Sequence, residues 1–96
     1  MAMTIAKIKE AIDGKHLLTF RYKGVVRLVE PHLLGYDGDG DLTLSAWQQS
    51  GGSGAGFRRF HVSMLFELAI DRRTFEGSRP GYNPNDTTMS RILARI

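Results

Sequence analysis

Polar and apolar residues change period early in the chain. Ile5, Ile8, Ala11 and Ile12 recur at helical spacing, with Lys7, Lys9, Glu10 and Asp13 on the other side. This predicts a short amphipathic helix, capped by Thr4 and closed by Gly14 in a left-handed conformation. From Leu17 the period falls to two. Leu18, Phe20 and Tyr22 alternate with Thr19, Arg21 and Lys23, Gly24 supplies a turn, and Val25 to His32 returns as a second strand. Arg27, Val29 and Pro31 then share one side, and Val26, Leu28, Glu30 and His32 the other. Pro31 has no N–H to give a ladder, so it marks a strand end, a bulge or an edge, and the polar residues beside it need partners.

Further along, Asp37-Gly38-Asp39-Gly40 is a turn signal. Asp41 to Gln48 reads as a third strand, with Leu42, Leu44 and Ala46 facing one way and Thr43, Ser45 and Trp47 the other. The glycines and serines of residues 49–56 predict a flexible loop before a fourth strand at Phe57 to Val62. Ser63-Met64 is a bend, and Leu65 to Ile70 a fifth strand. Residues 76–85 are too rich in Pro, Gly and Asn for regular structure. Met89, Ile92, Leu93 and Ile96 then fall on one stripe, predicting a short C-terminal helix that docks on its own domain or on a second subunit. The expected class is mainly β (α+β), a small, strongly curved barrel of five strands with a helix at each end. Residues 1–76 form the helix and barrel, and residues 77–96 a C-terminal extension.

Composition narrows the chemistry. A chain of 96 residues, 42% hydrophobic and 24% charged, builds one modest core and is not disordered throughout. There is no cysteine, so disulfides and thiolate chemistry are excluded. Met1-Ala2-Met3-Thr4 lacks the plan of a signal peptide and no apolar run is long enough to span a bilayer, so a cytoplasmic protein without membrane contact is expected. The net charge of +3 and pI near 9.6 favour an anionic partner.

Among the cations, Arg27, Arg58 and Arg59 sit on or beside predicted strands, where a guanidinium can be fixed to grip a phosphate; an ion pair with Glu30 or Glu67 is the competing use. Trp47, next to the glycine-rich loop and on the face of Ser45, is placed to stack a base. His32 and His61 complete the candidate set. The histidines show no tight metal-ligand spacing, the acidic turn lacks the twelve-residue calcium pattern, and neither Ser45 nor Ser63 lies in a nucleophile elbow. No catalytic residue, metal or cofactor is therefore expected.

Taken in order, Ile8 to Ile12, Phe20-Arg21-Tyr22, Val29-Glu30-Pro31, Leu44-Ser45-Ala46-Trp47, Phe57-Arg58-Arg59-Phe60 and Phe75 resemble the WYL domain family over most of residues 5–76. The resemblance implies an Sm-like, SH3-type barrel after a short helix, and a sensor or regulatory module of bacterial or phage origin. Such modules often follow a winged helix-turn-helix and are implicated in recognising nucleic acid or small anions. Arg58 matches the family's Arg-x-Phe position, whereas the Trp-Tyr-Leu tripeptide falls on Leu42-Thr43-Leu44 and the arginine of an Arg-Ile pair on Met64. The first 15 residues hold one helix, too little for a helix-turn-helix, so any regulation of transcription runs through a partner or by direct contact. The expected function is a noncatalytic module in transcriptional or defence regulation. It binds single-stranded nucleic acid or a nucleotide-like anion through Arg27, Arg58, Arg59 and Trp47, with His32, His61 and Ser45 beside them. The alternative is a protein-interaction module, acting as a homodimer or higher oligomer through the barrel edge or the C-terminal helix.

Overall fold

One strand, Val25–Asp37, carries most of the pairing in the computed structural model, which describes residues 2–96. In chain order the elements are α1 (Ala2–Gly14), β1 (His16–Tyr22), β2 (Val25–Asp37), β3 (Leu42–Ser50), β4 (Gly56–His61), β5 (Phe66–Thr74) and β6 (Met89–Arg95), with a 3-10 turn at Val62–Met64. Along one edge of β2, β3 pairs from Leu28 to Tyr36. Along the other, β1 takes Val25 to Val29 and β6 takes Leu33 to Asp37. The sheet is antiparallel, in the order β4-β3-β2-β1-β5 with β6 on the far half of β2.

The bend in β2 lies where the sequence marks it. Its register with β3 slips between Pro31 and Leu33, so His32 is an extra, bulged residue. Pro31 falls in the gap between the stretches that β1 and β6 occupy, where its missing N–H removes no bond to either. The bulge also changes which side chains share a face. Glu30 lies opposite Trp47 and Leu33 opposite Ser45 on the outer face, while Leu34 lies opposite Leu44 in the core.

Helix α1 covers the inner face, burying Ile8, Ala11 and Ile12 against Leu18, Phe20, Val29, Leu34, Leu44, Ala46 and Phe60. Phe60 meets Phe20 and Tyr22 edge-on, with centroids 4.9 and 5.0 Å apart. Each such buried side chain contributes about 1.5–3 kcal/mol of transfer free energy. Lys23 (φ 51°) and Gly24 (φ 78°) make the two-residue turn that matches the twist of the β1–β2 hairpin. At the next turn, Asp37 Oδ1 accepts the N–H of Asp39 and of Asp41, both at 2.9 Å.

The mainly β class stands, but the architecture differs from the five-stranded barrel in three respects. Among the described residues there are six strands, and β4 and β5 do not pair, so the sheet is open. The C-terminal segment is strand β6 and not a helix, and Met89–Arg95 thus extend the same sheet. Eight residues make a marginal helix, whereas the edge of β2 beyond the bend offers a ladder, and Leu93, Ala94 and Ile96 still reach the core. Two register shifts in the β2–β6 ladder break the period of two, which is why the stripe reads as helical. Smaller differences concern α1. It begins at Ala2, so Thr4 lies inside it, and the left-handed residue after it is Lys15 (φ 52°) rather than Gly14.

Gly35 is what lets β6 approach. A Cβ there would lie 2.5 Å from the Arg91 carbonyl oxygen, a backbone atom that cannot swing aside. Gly35→Ala is therefore expected to cost about 1–3 kcal/mol in urea denaturation. Gly38→Ala, where a Cβ meets nothing within 4 Å, should stay within about 0.5 kcal/mol. Equal stability of the two variants would show that β6 does not lie on β2.

Candidate functional site

The outer face of the sheet has its own aromatic cluster, built around the bulged residue. The His32 ring stacks on Phe75 at 5.5 Å and receives Phe57 and Tyr82 edge-on at 5.2 and 5.1 Å, and Trp47 meets Phe57 edge-on at 5.3 Å. Residues 75–88 run over this face and are tied down by polar contacts. Arg79 forks onto Glu30, with Nε to Oε1 at 3.0 Å and Nη2 to Oε2 at 2.7 Å, and its guanidinium lies 5.0 Å from the Trp47 ring centroid. Its backbone N–H donates to His32 Nε2 at 3.1 Å. The Tyr82 hydroxyl lies 3.3 Å from the His32 carbonyl oxygen and 3.1 Å from that of Ile96, and the Ile96 N–H donates to His32 O at 3.0 Å.

Glu30 and His32 are thus the receptors for the extension. Glu30 is 1% exposed. Burial alone raises its carboxyl, but hydrogen bonds from Arg79 and Gln49 and the charge of Arg79 outweigh this and hold it below the usual carboxylate range. His32 is fully buried. Its Nδ1 lies 2.8 Å from the Glu30 carbonyl oxygen, which only accepts, so Nδ1 carries the proton and Nε2 is free to accept from Arg79. Burial is the largest influence on the ring and holds its pKa below the ordinary value, against the opposing pull of Glu30.

Beside this cluster lies a cleft of about 210 Å³. Ser45, Phe57, Arg58 and Arg59 line it from β3 and β4, and Gly81, Tyr82, Asn83 and Asp86 from the extension, with Leu33 between them. Arg59 Nη2 bonds Asp86 Oδ2 and Thr88 Oγ1, and among the described residues its Nε and Nη1 have no protein acceptor. Asp86 is held below the usual carboxylate range first by the Thr88 hydroxyl, then by the Thr88 N–H and Arg59, against some burial. Side chains of the Arg59–Asp86 pair are 43% and 23% exposed, and ion pairs open to water contribute only about 0–1 kcal/mol. Arg58 lies on the preceding turn, with Nη1 to Phe57 O at 2.8 Å and Nη2 to Ser53 Oγ at 2.9 Å and Gly54 O at 3.2 Å.

Three of the seven sequence candidates therefore converge: Ser45, Arg58 and Arg59. Trp47 is half-buried and reaches the cleft only through Phe57. Arg27 is elsewhere and committed, with Nη1 to Gln48 Oε1 at 2.9 Å and Nη2 to Tyr22 O at 3.2 Å. Gln48, fully buried, in turn gives Nε2 to Gly51 O and Gly54 O, both at 2.6 Å, so the glycine-rich stretch expected to be flexible is stapled to the sheet. His32 is inaccessible and serves the extension. His61 is exposed near Asp37 and Asp41, but Asp37 already uses its oxygens on Asp39, Asp41 and Thr43 to hold the turn. Glu30 pairs with Arg79 and Glu67 with Arg21, rather than with the three arginines singled out from the sequence. Arg79, Tyr82, Asn83 and Asp86 were not legible as site residues. The one signal for Arg79 is a glutamate on a strand that needs a cation, and its partner proves to be Arg79 rather than Arg27, Arg58 or Arg59.

Comparison of the chain with protein-family models, curated proteins and solved structures finds no match.

The outer-face cluster makes stability depend on pH. An unfolded histidine titrates near pH 6.5, and folded His32 does so lower. Stability is therefore full above about pH 6.5 and falls as the pH drops toward the folded value, where the loss levels off. Glu30 adds stability above about pH 4.3, lost as the pH falls through its lowered folded value. Urea midpoints at pH 7.5 should exceed those at pH 5.5, and His32→Asn should flatten the slope between them. An unchanged slope would remove His32 as its source.

Proposed function

We propose that the chain is a noncatalytic sensor or regulatory module that binds a nucleotide-like anion in the cleft between β4 and the extension. One observation carries this reading: Arg59 presents Nε and Nη1 groups that are unpartnered among the described residues, in a cleft that also holds Ser45, Arg58, Asn83 and the rings of Phe57 and Tyr82. A guanidinium offers a phosphate two parallel donors, a hydroxyl and an amide supply further polar contacts, and aromatic walls suit a base or sugar. The size favours one phosphate with part of its attached group over a long strand. Drug-sized ligands occupy pockets of about 300–1,000 Å³, and this cleft is smaller. Extended single-stranded nucleic acid is the less favoured ligand, because Arg79 already lies against the Trp47 ring.

Kinship with the WYL family is a proposal that rests on the sequence resemblance alone, and the comparisons lend it no support. The binding reading rests on the cleft. The interaction-module alternative has lost its C-terminal helix, and the β5 edge is blunted by the left-handed Glu67 (φ 55°) and by Lys7 Nζ on the Leu68 carbonyl at 3.2 Å.

Titration with adenosine monophosphate at low salt should change the fluorescence of Trp47, the only tryptophan, in a saturable way. Arg59→Ala should weaken binding at least about tenfold, the effect of losing a charge-assisted hydrogen-bonding group. Lys9→Ala, on the exposed side of α1, should change it less than about twofold. Saturable binding of oligothymidylate but not of the mononucleotide would favour the nucleic-acid reading. No saturable change with either would remove the proposal.

A further inference from the structure

The extension does more than form one wall of the cleft. Upstream it is anchored by Arg79 on Glu30 and His32 and by Tyr82 on His32 and Ile96. Downstream it is anchored by β6 on β2. Between these anchors, residues 83–86 reach across to β4, where the Asp86 carboxylate lies on Arg59, while the Pro84 carbonyl accepts Arg95 Nη1 of β6 at 2.9 Å. Thr88 aims that carboxylate, its N–H and hydroxyl bonding Asp86 Oδ1 at 2.9 and 2.6 Å. A chain-borne anion therefore sits on the one guanidinium best placed to hold an anionic ligand. Its contact is partly open to water, whereas the flanking anchors include a buried carboxylate and a buried histidine.

Resting on the binding reading above, we infer that Asp86 is a built-in counter-ion that gates the cleft: the ligand binds by replacing its carboxylate on Arg59. Both anchors stay in place while residues 83–86 move off β4. The ligand class follows from the competition. A carboxylic acid cannot displace Asp86 by charge, since it carries the same single charge. A terminal phosphate monoester, dianionic above a second pKa near 6, brings more charge and enough oxygens to engage Nη2 together with the unpartnered Nε and Nη1. A phosphodiester, with one charge, has no such advantage. Affinity then measures ligand binding minus the closed state, so removing the internal competitor raises it.

The experiment compares wild type with Asp86→Asn and Asp86→Ala. Adenosine monophosphate and its methyl phosphodiester are the probes, calorimetry gives affinity, and amide hydrogen exchange is followed without ligand. Asp86→Asn keeps an oxygen for Thr88, which separates loss of charge from loss of the local turn. Glu10→Gln, on α1 away from the cleft, removes one negative charge elsewhere. The gate predicts a gain of about five- to tenfold for the monoester in both Asp86 variants, less than about twofold in Glu10→Gln, and faster exchange in residues 83–88 of Asp86→Ala. It also predicts that wild type prefers the monoester to the diester and that this preference narrows in Asp86→Asn. Binding of the monoester with equal affinity in wild type and both variants overturns the gate and leaves the binding reading intact. Binding by none of the proteins, even with accelerated exchange, overturns the binding reading, and with it a gate that has nothing to admit.

Discussion

A carboxylate with almost no access to water lies on the outer face of this sheet, and the arrangement of that face follows from how it is answered. Glu30 cannot be left unpaired, because a buried charge without a partner costs several kcal/mol. The cation that answers it, Arg79, comes from a segment with no regular structure, and its fork geometry fixes direction as well as distance. Once Arg79 is seated, its backbone N–H meets His32 and its guanidinium covers Trp47. The bulge at His32 completes the linkage, leaving that residue's carbonyl oxygen to take Ile96 N–H and lie beside the Tyr82 hydroxyl. Bend, extension and last strand therefore meet at one residue.

This arrangement turns a strand surface into a cleft. Without residues 75–88, the outer face of β3 and β4 would be a pleated surface carrying Ser45, Trp47, Phe57 and Arg59. With them, it gains an opposing wall and a competing anion. The arginines divide accordingly. Arg27 belongs to the core side of a turn, Arg58 spends its guanidinium mainly on the residues before it, and Arg59 keeps two donor groups free among the described residues. The net charge of +3 could not have ranked them, because what separates them is the acceptors each finds after folding.

Where local chemistry decides, the sequence was legible. The amphipathic helix, the Lys23-Gly24 hairpin, the Asp37 turn, the alternation through β3 and the bend at Pro31 each follow from a few neighbouring residues. The C-terminal strand carries a helical pattern because Met89, Ile92, Leu93 and Ile96 satisfy a helical stripe in a segment too short for period to discriminate. The register slips that brought Leu93, Ala94 and Ile96 to the core belong to the pairing with β2. The same limit applies to residues 49–56, whose composition suggests mobility until buried Gln48 is seen to bind the carbonyls of Gly51 and Gly54.

By itself, then, the sequence determined the mainly β class, the hairpin and turn positions and the place of the bend. These rest on backbone preferences and periodicities that act within a few residues. Only the tertiary structure decided that β6 extends the sheet, that Arg79 answers Glu30 from 49 positions away, and that Asp86 lies against Arg59 from 27 away. Residues 76–85 have no period to read, and their partners are set by which buried polar groups remain unsatisfied once the sheet has formed.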